Sequence, residues 1–188
     1  QTLHSVVQEV LDRAGRPVTG ETASFEILAR REAAAQPALA EALEEFGDGY
    51  GAVSSSVRDL FDAGFRPEHV DSLKEQAHSF RGAGIASGTV ERLDSLLEVA
   101  GAVHRGMGDA GLHHGSSLVA QAAELVGRCG EDIFPNRRIW IYGVSDATGV
   151  VLDLIEALMR MPSSTIVIDD PSFAGGADHG SGESGFIR

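Results

Sequence analysis

The sequence predicts a mostly α chain with a small α/β part, and three observations predict it. Apolar residues recur at spacings of three and four over most of residues 2–134. Two short apolar runs follow in the last third, 138–142 rich in Ile and aromatics and 165–168 of Ile and Val after a Thr. An amphipathic stretch, 150–161, joins them, so strand, helix and strand form a crossover unit of a parallel sheet. The change of character at Pro135 divides the chain into a helical part, 1–135, and an α/β part, 136–188, that closes in a Gly-rich tail.

The elements follow in order. Thr2–Ala14 carries Leu3, Val6, Val7, Val10 and Leu11 at helical spacing, and Gly15 stops it. Thr19-Gly-Glu-Thr22 caps a helix through Phe25, Ile27 and Leu28 to about Ala35. Pro37 holds a first-turn position for Ala38–Phe46, and Gly47-Asp-Gly49 is a break. Ala52–Ala63 sets Val53, Val57, Leu60 and Phe61 on one face, with Gly64 just past its end. Pro67 opens a helix to about Phe80, and Arg81-Gly-Ala-Gly84 reads as a loop. Ser87–Met107 is the longest helix, striped by Val90, Leu93, Leu96, Leu97, Ala100 and Val103. A turn over Gly108–Gly115 holds His113 and His114, and Ser116 or Ser117 caps a helix expected to end near Gly127. Arg138–Tyr142 and Thr165–Ile168 read as strands buried on both faces. Two parallel strands do not stand alone, so the chain is expected to be a piece of a larger protein, with exposed strands open to self-association.

Composition narrows the function classes. The 188 residues are 43% hydrophobic with a mean hydropathy of −0.03, as in ordinary globular proteins. No apolar run nears the roughly eighteen residues that cross a bilayer, and no basic-then-apolar leader is visible. With a single cysteine, Cys129, an internal disulfide is excluded and no zinc framework is offered. A cytoplasmic protein is the expectation. The net charge of −13, from 28 acidic and 15 basic side chains, opposes a broad grip on nucleic acid unless arginines gather on one side.

Candidate chemistry is sparse. No Gly-x-x-x-x-Gly-Lys-Ser/Thr loop exists, and the one lysine, Lys74, falls inside a helix, so no nucleotide site is expected from this chain alone. His113 and His114 are adjacent, and His69 and His78 lie nine apart, so neither pair has metal-ligand spacing; surface histidines are expected. Cys129 reads as a helix-end filler. Asp146 and Asp169-Asp170 follow strand ends, where parallel sheets place ligands, yet Asp146 equally serves as a helix N-cap and Asp169-Asp170-Pro171 as a polar turn. No catalytic residue and no metal site is assigned.

Ile141-Tyr-Gly-Val-Ser-Asp-Ala-Thr148 followed by Leu154-Ile-Glu-Ala-Leu158 resembles the degenerate second motif of the inactivated helicase half of bacterial AddAB-type helicase–nucleases, relatives of UvrD-like superfamily 1 motors. Gly49-Tyr-Gly with Val57-Arg-Asp-Leu60 and Ala63-Gly64, and the helix Thr89–Asp109, resemble segments that precede the motif. The likeness covers about residues 20–170 and rests on order and spacing. It implies a helical insertion subdomain beside a βαβ edge of a RecA-like P-loop NTPase domain. Tyr142 and Gly143 then stand where active motors carry the acids that hold magnesium and position water, while Ser145, Asp146 and Thr148 match the polar end of the motif. ATP and magnesium would belong to the parent chain, bound by a phosphate loop upstream of Gln1, and a nuclease domain would lie downstream of Arg188.

The function expected from the resemblance is a non-catalytic part of a DNA-repair helicase–exonuclease subunit. It would contact single-stranded or forked DNA beside an active motor subunit, with Arg137 and Arg138 as candidate phosphate contacts. The alternative is an α-helical protein-interaction or regulatory module with no nucleic-acid role, which the acidity favours. A small enzyme built on Asp169 and Asp170 is a third reading, without a paired base to support it.

Overall fold

The computed structural model describes residues 2–16, 22–44, 48–80, 86–144, 147 and 149–167. Among these the chain is mostly helical: α1 (Leu3–Arg13), α2 (Thr22–Ala34), α3 (Pro37–Glu44), α4 (Gly49–Asp62), a 3₁₀ turn (Pro67–His69), α5 (Val70–Ser79), α6 (Ser87–Asp109), α7 (Gly115–Ile133) and α8 (Gly149–Met159), with strands β1 (Ile139–Tyr142) and β2 (Ser164–Val167). The proposed cap at Thr19–Glu21, the loop Arg81–Gly84 and the glycine-rich tail lie outside the described residues.

Local chemistry sets the helix ends. Thr2 caps α1, its hydroxyl accepting the Ser5 N–H. Asp48 caps α4 by accepting the Gly51 N–H, so the helix starts at Gly49 and the expected break is shorter than the glycines suggest. A Cβ at Gly49 would lie 2.7 Å from Leu43 Cδ2, which explains the glycine there. At the other end of α4, Gly64 at φ +87° lets its N–H reach Phe61 O at 3.0 Å and the Phe65 N–H reach Leu60 O at 2.9 Å. The same closing pattern ends α1 at Gly15 and α6 at Gly111.

Two compact units are present, one formed by Gln1–Arg16 with Val119–Arg188 and the other by Pro17–Leu118. This differs from a division at residue 135, because α1 and most of α7 belong with the strands. The change of composition at Pro135 marks where strands begin, whereas contacts decide which helices pack together.

The Pro17–Leu118 unit centres on Phe25, Ala29, Val57, Phe61, Val99, Ala100 and Val103, with α2, α4 and α6 packed together. Phe25 and Phe61 meet edge to face at 5.8 Å between ring centroids, and Phe61 stacks on Phe65 at 6.3 Å. In the other unit β1 and β2 pair in parallel, Ile139 beside Ser164 through Tyr142 beside Val167. The α8 face of Val150, Leu154, Ile155, Ala157 and Leu158 is buried, and α8 packs on β2.

Three expectations are corrected. β1 is not buried on both faces: Trp140 is 61% and Tyr142 77% exposed, while Ile139 and Ile141 are half-buried. A short apolar run does not say which face is covered, and strand alternation puts both aromatics on the same side. Residues 164–167 of β2 are likewise only half-buried or exposed. The helix expected to end near Gly127 is followed, past a break at Cys129 (φ −147°, ψ 33°) whose thiol donates to Leu125 O, by a further helical stretch to Ile133 that the spacing did not show.

Candidate functional site

The free side of β1 is the most exposed apolar feature of the described structure. β2 is the only strand hydrogen-bonded to β1 among the described residues. The Ile139 N–H donates to Ser163 O at 3.1 Å, toward β2. Backbone groups alternate in direction along a strand, so the N–H and C=O of Trp140 and Tyr142 point to the opposite edge. An open groove of about 770 Å³ runs along β1. Its walls come from Thr2, Leu3 and Val6 at the start of α1, from Phe134, and from Val151, Ile155 and Leu158 of α8.

Among the described residues the charged side chains lining this groove are both cations, Arg137 and Arg138. They differ. Arg137 Nη1 lies 2.8 Å from Glu9 Oε1, and the same carboxylate oxygen pairs with Arg13 at 2.7 Å. Arg13 in turn donates to Ile133 O at 2.6 Å. The strand-entry role of Arg137 is therefore satisfied within the fold, as a charged anchor of β1 on α1. Arg138 is exposed and has no ion pair among the described residues. The Arg137 carbonyl accepts the Ser163 hydroxyl at 2.6 Å, which fixes the joint between α8 and β2 against the start of β1.

Of the other sequence candidates, Tyr142 and Gly143 line the groove at the tip of β1, Gly143 with φ +71°. Ser145, Asp146, Thr148, Asp169 and Asp170 lie outside the described residues. No cluster of three or more His, Cys, Asp or Glu side chains with metal-holding geometry occurs among the described residues.

The histidine expectation is corrected for His104 and His114, and His113 is half-buried as well. His104 on α6 and His114, just before α7, are half-buried, and each ring meets Phe61 edge-on, at 5.6 and 5.5 Å between centroids. Burial pushes both imidazoles below the ordinary histidine value. Position 104 extends the α6 stripe one turn past Ala100, a signal the sequence carried; nothing local marks His114. Asp62, Ser116 and His114 also lie in a row, Ser116 Oγ donating to Asp62 Oδ1 and lying 3.1 Å from His114 Nδ1. This is not a hydrolase triad: the serine stands between acid and imidazole instead of at the end, and it is only 6% exposed. Nor does Ser116 cap α7 from outside, since the helix starts at Gly115.

No family model matches the chain, and neither a curated protein nor a solved structure does. No helix among the described residues is long and apolar enough to cross a membrane.

Proposed function

We propose that the chain is a non-catalytic binding module that takes an extended segment of a partner protein along β1. One observation carries this reading: among the described residues the outward edge of β1 has no strand beside it, and an apolar groove runs along it. A strand laid there gains main-chain hydrogen bonds from Trp140 and Tyr142 and places alternate side chains in the groove. Exposed Arg138 in the lining, with no ion pair among the described residues, favours a segment that carries acidic residues.

A second reading rests on a separate feature. Exposed Trp140 and Tyr142 beside Arg138 form the kind of aromatic and guanidinium surface on which single-stranded bases stack. That reading agrees with the likeness to a helicase–nuclease remnant and would make single-stranded DNA the ligand; the overall acidity weighs against it.

Trp140 is the sole tryptophan, so its emission reports directly on this surface. Titration with a synthetic peptide of alternating Val and Thr ending in two Asp residues is expected to shift that emission to the blue. Oligodeoxythymidine is expected to leave it unchanged. Salt-sensitive quenching by the oligonucleotide without a response to the peptide would favour the DNA reading. Silence toward both would remove the assignment of this groove as a binding site.

A further inference from the structure

The Pro17–Leu118 unit holds one phenyl ring between two titratable rings. Phe61 of α4, 4% exposed, is met by His104 of α6 on one side and by His114 of the turn before α7 on another. His114 also lies 4.8 Å from fully buried Phe25 of α2. The three elements that build this core thus converge on two imidazoles.

Two groups of Ser116 meet His114 Nδ1, the backbone N–H at 3.3 Å and the hydroxyl oxygen at 3.1 Å. The ring lies half-buried against the phenyl rings of Phe25 and Phe61. A proton taken up there places a charge in a site largely shielded from water. The charged groups facing His114 are Asp62 and Glu26, which favour the cation, and Arg58, which opposes it; burial outweighs them. Facing His104 are Glu68, which favours the cation, and Arg66 and Arg105, which oppose it; burial again dominates.

We propose that the His104–Phe61–His114 stack is an acid-released latch: when the two rings take up protons, α4 loosens from α6 and from the turn that starts α7. The direction follows from linkage. Both rings hold protons less readily in the fold than at the ordinary value of 6.5, so the unfolded or opened chain binds more protons below that pH. The stabilisation is complete above it and is lost as the pH falls through and below it. The loss sets in at mildly acidic pH, where histidine is the ordinary side chain that changes charge.

The test is urea unfolding of the full chain by far-UV circular dichroism at about pH 7.5, 6.5 and 5.5. The midpoint of the wild type is expected to fall with pH. In the double variant His104→Gln, His114→Gln that fall should shrink by at least half, whatever its midpoint at the highest pH. A variant that falls as steeply as the wild type, or a wild type with a flat profile, overturns the proposal. If the double variant does not fold, NMR titration of the wild-type imidazole C–H signals decides. Rings that titrate below the ordinary value, losing their contacts to Phe61 as they do so, support the latch; rings that titrate at the ordinary value with those contacts intact refute it.

Discussion

Arg137 and Arg138 are neighbours in sequence with different work. Arg137 is held by Glu9, and a half-exposed ion pair of this kind contributes about 0.2–1 kcal/mol. Arg137→Ala is therefore expected to lower the urea-derived stability by an amount in that range. Arg138→Ala should leave stability within about 0.5 kcal/mol of the wild type yet weaken the acidic peptide in the Trp140 fluorescence titration. Equal loss of stability in the two variants would contradict the distinction. At the core, Phe61 touches Phe25, Phe65, His104 and His114, so Phe61→Ala should cost about 3–5 kcal/mol in the same unfolding assay. Leu, Val and Phe positions of this kind were legible from spacing alone. The roles of the two arginines were not, because the partner that separates them, Glu9, is 128 residues away from Arg137.

At the scale of elements, helix ends were read best where a glycine acts locally, whereas the capping side chains Thr2 and Asp48 were not read as caps. Gly64 illustrates it: the residue just past α4 has φ +87°, which an L side chain adopts at a cost of about 1–2 kcal/mol. Gly64→Ala should lower the thermal midpoint accordingly, with no effect on the groove along β1. β1 supplies a sharper test of the proposed function. Tyr142→Pro removes an N–H that points away from β2, so the β1–β2 ladder survives while strand addition is blocked. Peptide binding should be abolished by Tyr142→Pro and only weakened by Tyr142→Ala. Equal effects of the two substitutions would point to the phenol ring, not the strand edge, as the contact. The open face of β1 was missed because the run Ile139–Tyr142 is apolar throughout, and such a run fits a strand covered on one face or on two.

At the scale of the whole molecule, two properties oppose each other. An unpaired strand edge invites a second strand, including that of another copy. A net charge of −13 on every copy resists that encounter, and salt screens the resistance. The expected outcome in sedimentation velocity is a monomer at low ionic strength with association that grows as salt is added, and Trp140→Lys should suppress it. Association that weakens with salt would indicate charge pairing instead of edge pairing. The division into two compact units was legible only in part: the helical character of the first 134 residues was plain, but the assignment of α1 and most of α7 to the unit with the strands was not.

The sequence by itself determined the helical elements, the glycines that close several of them and the parallel strand–helix–strand unit. Each of these depends on residues within a few positions of one another: a 3.6-residue stripe or a glycine with positive φ. Tertiary structure alone decided three things, all of them set by groups distant along the chain. Among the described residues it left one face and one edge of β1 open, tied Arg137 to Glu9 while leaving Arg138 exposed, and drew His104 and His114 onto Phe61. Spacing in sequence records what a segment can bury; which surfaces meet, and which stay uncovered, depends on packing that no local pattern encodes.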